Sequence, residues 1–101
     1  MTSSPIDVGP AVAQEVTVTD EALMVDLADG RSMSVPLTWF PRLLNGTPTE
    51  RTEWRLIGNG AGIHWPALDE DISVQSLLAG RGSGETDASL QRWLHARRAA
   101  G

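Results

Sequence analysis

The chain has 101 residues, of which 41% are hydrophobic and 21% are charged, values typical of one soluble globular domain. It has no cysteine, which excludes disulfides, thiolate nucleophiles and thiolate metal sites. No apolar run approaches the roughly 20 residues of a membrane span, and the first residues lack a signal-peptide pattern. We therefore expect a cytoplasmic protein without membrane association.

Charge is unevenly distributed along the chain, whose net charge is −5. Because lysine is absent, every formal positive charge is an arginine, and lysine-based catalysis is excluded. Residues 1–80 carry eleven acids against four arginines, and residues 81–101 carry four arginines against two acids. The acidic body should repel a phosphate backbone, so only the C-terminal tail could attract nucleic acid.

Three parts are predicted along the chain. Residues 1–12 are rich in serine, proline and glycine without periodicity, which is typical of a disordered leader. Residues 13–80 contain the periodic segments and are predicted to form the folded domain. Residues 81–101 are predicted to be a Gly/Ser linker followed by a C-terminal helix.

The first part of the domain predicts a β-hairpin. A short strand is expected at residues 15–19, and apolar residues then alternate over 22–27 and again over 33–37. A two-residue turn between the last two strands would oppose apolar and polar side chains. A three-residue loop that ends in a left-handed Gly30 instead pairs Val25 with Met33 on one buried face. We therefore predict a type I turn with a G1 bulge.

The middle of the chain predicts two short helices. Thr38 is expected to cap a first helix that closes at Asn45 and Gly46. Residues 47–50 form a capping box with proline at the first helical position, so a second helix should run to about Glu53.

The remaining segments predict a second hairpin and two further helices. Strands at 54–57 and 63–65 flank a glycine turn, and a helix should begin at Asp71 or Ser73 and stop at Gly80. The last helix should be capped by Thr86 or Asp87 and continue to about Arg98. Its stripe at helical spacing consists of Leu90, Trp93, Leu94 and Arg97. Together these elements predict an α+β fold, with a small antiparallel sheet of two hairpins packed with short helices.

A set of motifs carries a family resemblance. They are the hairpin turn, a Trp-Phe-Pro-Arg segment, a Gly-x-Gly-Ile-His-Trp-Pro segment and an acidic run. Their structural signature residues are Asp29, Gly30, Pro41, Gly60, Gly62, Trp65, Pro66, Asp69, Glu70 and Asp71. In order and spacing they closely resemble the bacterial DUF2442 family, over residues 15–80.

The resemblance implies a small α+β fold with no established activity. It also implies a possible partner, because some members are encoded beside a small DUF4160 protein in an arrangement that looks like a toxin-antitoxin pair. Other members are fused to a helix-turn-helix domain. The residues after Gly80 are too few for such a domain, so operator binding through it is not expected.

The segment 58–72 concentrates glycines, an indole, an imidazole and three carboxylates. His64 and the carboxylates are competent metal ligands, but Pro66 separates them, and an acidic run also suits a helix N-terminus. The glycines precede a strand rather than a helix, which argues against a phosphate loop. A catalytic triad of Ser73 or Ser76 with His64 and an aspartate would lack a nucleophile elbow. We predict no metal, no cofactor, no catalytic residue and no enzymatic activity.

Four tryptophans and a set of arginines leave alternatives open. Trp39, Trp54 and Trp65 either form the core around the sheet, which we favour, or a recognition surface. Trp93 either docks on the body or meets a partner.

The arginines of the last helix are better explained by a favourable interaction with the helix dipole than by a nucleic-acid site. Those of the domain are expected to pair with the acidic run or to cap strand and helix ends; they are Arg42, Arg51 and Arg55.

The leading functional hypothesis is a non-enzymatic protein-interaction domain. Its partner would be a DUF4160-like or other toxin-like protein, neutralised as by an antitoxin. The candidate partner-binding residues are His64, Trp39, Arg42 and Trp93. The alternative is a nucleic-acid-associated transcriptional regulator that acts through the basic C-terminal helix.

Overall fold

The structure is a computed structural model that describes residues 11–100. Residues 1–10 of the predicted leader therefore lie outside the described residues. Within the described part, Val12 already belongs to the fold, because its carbonyl oxygen accepts a hydrogen bond from the backbone N–H of Ala28 at 2.9 Å.

Residues 11–100 contain six strands and four α-helices, in keeping with the predicted α+β class. The strands are β1 (Ala13–Val18), β2 (Ala22–Leu27), β3 (Ser32–Pro36), β4 (Arg55–Ile57), β5 (Gly62–Trp65) and β6 (Glu70–Ser73). The helices are α1 (Pro41–Leu44), α2 (Pro48–Thr52), α3 (Val74–Leu78) and α4 (Asp87–Ala100). The strands form two three-stranded antiparallel sheets, ordered β1-β2-β3 and β4-β5-β6.

The first sheet has the register that the alternating pattern predicts. Val25 pairs with Met33, and Leu23 pairs with Val35. Gly30 has a φ of +96°, and its N–H donates to the Leu27 carbonyl oxygen at 3.1 Å. The bulged turn is therefore confirmed. β1 begins two residues earlier than predicted and contains a second bulge, where the register shifts between Ala13 and Glu15.

The predicted start of the first helix, with Thr38 as its cap, is wrong. A 3₁₀ turn spans Leu37–Trp39, and α1 begins only at Pro41. Phe40 interrupts the two with φ −130° and ψ 86°, because a residue before proline is driven out of the helical region. The second helix is confirmed with its capping box, in which the Thr47 hydroxyl accepts from the N–H of Glu50 at 3.1 Å.

The second hairpin is confirmed, and a third strand that was not predicted extends it. β5 pairs with β4 on one side and with β6 on the other. Asp69 turns the chain into β6 with a left-handed φ of 51°. The acidic run therefore does not begin a helix, and Asp71 is not a cap. The cap of α3 is Ser73, whose hydroxyl accepts from the N–H of Ser76 at 3.3 Å.

One hydrophobic core lies between the inner faces of the sheets and the short helices. Trp65 is fully buried there, as predicted, and its indole N–H donates to the Arg51 carbonyl oxygen at 3.2 Å. Trp39 and Trp54 are only partly buried against this core. Within residues 11–100, no helix combines the length and the apolar character that a membrane crossing requires.

Candidate functional site

The C-terminal segment is tied to the body by an ion pair between Arg42 and Glu85. The Arg42 Nε lies 3.0 Å from both carboxylate oxygens of Glu85, and both side chains are mostly buried. Arg42 also donates to the Asp69 carbonyl oxygen at 3.0 Å. The Arg42 guanidinium holds the pKa of Glu85 below its usual range. This arginine therefore joins α1, the acidic run and the segment that leads into α4.

Trp93 is held between two guanidinium groups. The Cζ of Arg42 lies 5.1 Å from the centre of the indole ring, and that of Arg97 lies 4.7 Å from it. Such stacking is favourable, because a cation is attracted to the negative face of an aromatic ring. Of the two alternatives for Trp93, the structure shows the first, in which Trp93 docks on the body of the domain.

Trp39 is covered by the linker that precedes α4. Its carbonyl oxygen accepts a hydrogen bond from the N–H of Ser83 at 2.9 Å. A Cβ on Gly82 would lie 3.3 Å from the Trp39 Cβ, so only glycine approaches this closely without a shift of its neighbours. Arg42 and Trp93 thus contact each other, and Trp39 contacts the linker, so three of the four candidate partner-binding residues are engaged within the chain.

His64, the fourth candidate, lies apart from this cluster on β5. In the register of the second sheet it stands between Arg55 and Asp71. Its Nδ1 pairs with the Asp71 carboxylate, and 22% of its side chain is exposed. Within residues 11–100, no three metal-ligating side chains converge around it or elsewhere.

The remaining arginine partners agree only partly with the predicted pairing. Arg42 reaches the acidic run, with a nitrogen 3.6 Å from the Asp69 carboxylate. Arg51 instead binds the Asp20 carboxylate at 2.8 Å and caps α1 by donating to the carbonyl oxygens of Leu43 and Leu44 at 2.9 Å. Arg51 is almost fully buried, so these bonds satisfy a charge that would otherwise be costly.

Glu70, at the start of β6, is an acid whose pKa is raised. It is half-buried on the same face of the sheet as Ile72, in a cleft of about 410 Å³ that Phe40, Arg42 and Glu85 also line. Burial raises its pKa to about 7, although the nearby Arg42 favours the charged form. The carboxylate therefore titrates near neutral pH.

The outer face of the first sheet was not singled out from the sequence. Glu15, Met24, Asp26 and Ser34 are all exposed there, and the side chain of Met24 is 44% accessible. Glu15 stands directly opposite Asp26 in the register, and no ion pair neutralises either acid within the described residues. Opposed like charges destabilise a sheet. Alternation could have placed these residues on one face, but the pairing of β1 with β2, which is regular from Glu15 to Val18, is what sets the two acids opposite each other.

α4 has little free positive charge left for nucleic acid. Arg97 is engaged with Glu50, to which it donates at 2.8 and 3.1 Å. Arg92 and Arg98 are exposed on the other side of the helix. Only two of the three arginines of α4 are thus left for an electrostatic patch, which makes the nucleic-acid alternative through this helix less favourable.

Comparisons with known proteins give a fold and no activity. The family model described as "Protein of unknown function (DUF2442)" matches residues 13–83 and confirms the resemblance. No curated protein matches the chain.

Two solved structures are similar to this one. A crystal structure of a protein of unknown function from Rhodospirillum rubrum has a TM-score of 0.65 and 25% identity, over 81% of this chain and 99% of that chain. A solution NMR structure of an uncharacterised protein from Chromobacterium violaceum has a TM-score of 0.61 and 25% identity, over 72% of this chain and 70% of that chain. Neither description names a ligand or a partner.

Proposed function

Because the chain belongs to the DUF2442 family, whose description assigns no function, we propose one from the geometry. The protein is a non-enzymatic interaction domain that binds a basic protein. The outer face of the first sheet forms the binding surface. The proposal assigns no catalytic residue and no cofactor.

The observation that carries this proposal is the pair of facing carboxylates on Glu15 and Asp26. Their repulsion works against the sheet, and a basic side chain from a partner would relieve it. The exposed Met24 lies on the same face, and a flexible thioether adapts well to a partner surface. The net charge of −5 adds a longer-range attraction for a basic protein.

The proposed partner class follows from the family resemblance. Some DUF2442 genes lie beside a gene for a small DUF4160 protein in a toxin-antitoxin-like arrangement. We therefore propose that this chain acts as the antitoxin-like member of such a pair. A toxin-like gene in the same operon supports this role, and a neighbourhood without one opposes it.

Affinity capture from the native host tests the interaction. The full chain should recover one basic protein in stoichiometric amount. A variant with Glu15→Lys and Asp26→Lys should lose that protein. The matched control, Glu53→Lys with Asp87→Lys, has the same net charge but changes exposed acids away from this face, and it should retain the protein. Equal recovery by both variants contradicts the proposal.

A further inference from the structure

β1 is an edge strand whose backbone is open on one side. Among the strands of residues 11–100, the sheet order β1-β2-β3 leaves one edge of β1 without a neighbouring strand. In an antiparallel pair, successive residues alternately direct their N–H and C=O groups toward and away from the partner strand. Thr19 donates its N–H to the Ala22 carbonyl oxygen at 2.9 Å, which fixes this alternation. Thr17 therefore faces β2, whereas Val16 and Val18 present their N–H and C=O groups at the open edge.

A groove of about 440 Å³ follows this edge. One wall is β1 itself from Glu15 to Val18, and the other wall is formed by Arg51, Thr52 and Trp54. Within residues 11–100, no backbone group outside the β1–β2 ladder pairs with Val16 or Val18. The groove thus combines free backbone donors and acceptors with the partly buried indole of Trp54.

The strand also lacks the usual protection of an exposed edge. Natural edge strands are shielded by proline, by lysine, by a bulge, by an inward-pointing charge or by a covering helix or loop. β1 contains neither proline nor lysine, and its bulge lies at its start, before Glu15. α2 contacts β1 across the groove, but from Val16 to Val18 the edge is regular, and within residues 11–100 its outward backbone groups have no backbone partner.

Charge around the groove indicates which kind of segment fits. Glu15 and Arg51 both line it, but Arg51 is paired with the Asp20 carboxylate just after β1, and that carboxylate is 91% exposed. We infer that the open edge of β1 binds an extended basic segment of the partner protein, which adds a fourth strand to the first sheet. This inference rests on the proposed function and specifies how the partner is held.

Amide hydrogen exchange of the free full-length chain tests whether the edge is open. The amides of Val16 and Val18 should exchange faster than that of Thr17 by about tenfold or more, since only Thr17 donates within the ladder. Equal protection of all three would mean that residues 1–10 or a second copy already cover the edge. That result would overturn the inference.

A peptide probe tests the mode of binding. A short peptide of alternating arginine and valine should bind and slow the exchange of Val16 and Val18. The same peptide with alternate backbone amides N-methylated keeps its charge but cannot pair, and it should bind about tenfold more weakly. Equal binding of the two peptides overturns strand addition while leaving the acidic-face proposal intact. If neither peptide binds, strand addition is overturned as well. Affinity capture from the host still tests the acidic outer face of the first sheet independently.

A proline variant provides the protein-side control. Val18→Pro removes an edge N–H that faces away from β2, so the ladder should survive and peptide binding should fall about tenfold. Thr17→Pro removes a ladder N–H and should instead destabilise the sheet. Unchanged peptide affinity in a folded Val18→Pro variant contradicts the inference.

Discussion

Arg97 and Glu50 are 47 residues apart in sequence and joined by two hydrogen bonds of 2.8 and 3.1 Å. Arg97 therefore links α4 to α2. It also stacks on Trp93 of the same helix, and Arg42 of α1 stacks on that indole as well. α4 buries no residue fully. Its position therefore depends on these polar and stacking contacts and on the partly buried Trp93, which packs against the core.

Replacement of Arg97 should loosen α4 without unfolding the domain. Arg97→Ala removes the bonds to Glu50 and the stack on Trp93, and we expect a loss of about 1 kcal/mol in stability. Amide exchange should rise throughout α4 and stay unchanged in β2. Arg98→Ala, at an exposed position without an ion pair among the described residues, is the control and should change neither. Unchanged exchange of α4 in Arg97→Ala would show that other contacts hold the helix.

The same contact should depend on pH. Arg97 lowers the pKa of Glu50 to about 2. A carboxylate with a lowered folded-state pKa stabilises the fold above its ordinary pKa of 4.5, and that contribution is lost as pH falls from there toward 2. Exchange of α4 amides, corrected for intrinsic rates, should increase over this range. In Glu50→Gln the increase should be much smaller.

Glu70 should show the opposite dependence. Burial raises its pKa to about 7, so the folded state binds a proton that the unfolded state releases above about 4.5. This residue therefore destabilises the fold increasingly as pH rises from 4.5 through 7. Glu70→Gln should stabilise the domain by about 1 kcal/mol above pH 7, after allowance for partial solvent screening, and should have little effect near pH 4. Denaturant unfolding at the two pH values measures this difference, and an equal effect at both contradicts it.

The two neighbours Trp65 and His64 should respond very differently to truncation. Trp65→Ala should cost about 3 to 5 kcal/mol, because it empties a fully buried site and leaves the Arg51 carbonyl oxygen without its donor. His64→Ala removes a partly exposed side chain paired with Asp71 and should cost about 1 kcal/mol or less. Thermal melts compare the two. If His64→Ala unfolds the domain while Trp65→Ala is tolerated, the assigned faces of β5 are inverted.

The bulged hairpin should be sensitive at Gly30 for conformational reasons alone. A Cβ there would meet no atom within 4 Å, but the φ of +96° disfavours any other residue. Gly30→Val should therefore destabilise the domain by roughly 1 to 2 kcal/mol. Gly84→Ala, also in open space but without a positive φ, should be nearly neutral. Equal melting temperatures for Gly30→Val and the wild type would contradict the turn assignment.

The first hairpin could be predicted because its register has only one arrangement that buries apolar residues on a single face. β6 could not, since its acidic start has the local chemistry of a helix N-terminus. Pairing of Ile72 with Ile63, and burial of both, decides in favour of the strand. Local propensity is weak enough for such tertiary contacts to override it.

The docking of α4 also lies beyond sequence reasoning. Arg42 and Glu85 are 43 residues apart, and nothing in the spacing of either residue indicates the other. The sequence marked Arg42 and Trp93 as residues suited to an interface, and the structure shows them using that chemistry within the chain. The acidic face became visible only once the pairing of β1 with β2 was known, because that pairing sets Glu15 opposite Asp26.

The central claim is that the outer face of the first sheet binds a basic protein, and a chemical-shift map tests it most directly. The captured partner is titrated into the isotope-labelled full-length chain, and backbone amide shifts are followed by residue. The account predicts that the largest changes fall on β1 and β2, around Glu15, Met24 and Asp26, and that they weaken as salt rises. Changes concentrated at His64 or along α4, with β1 and β2 unaffected, would contradict it.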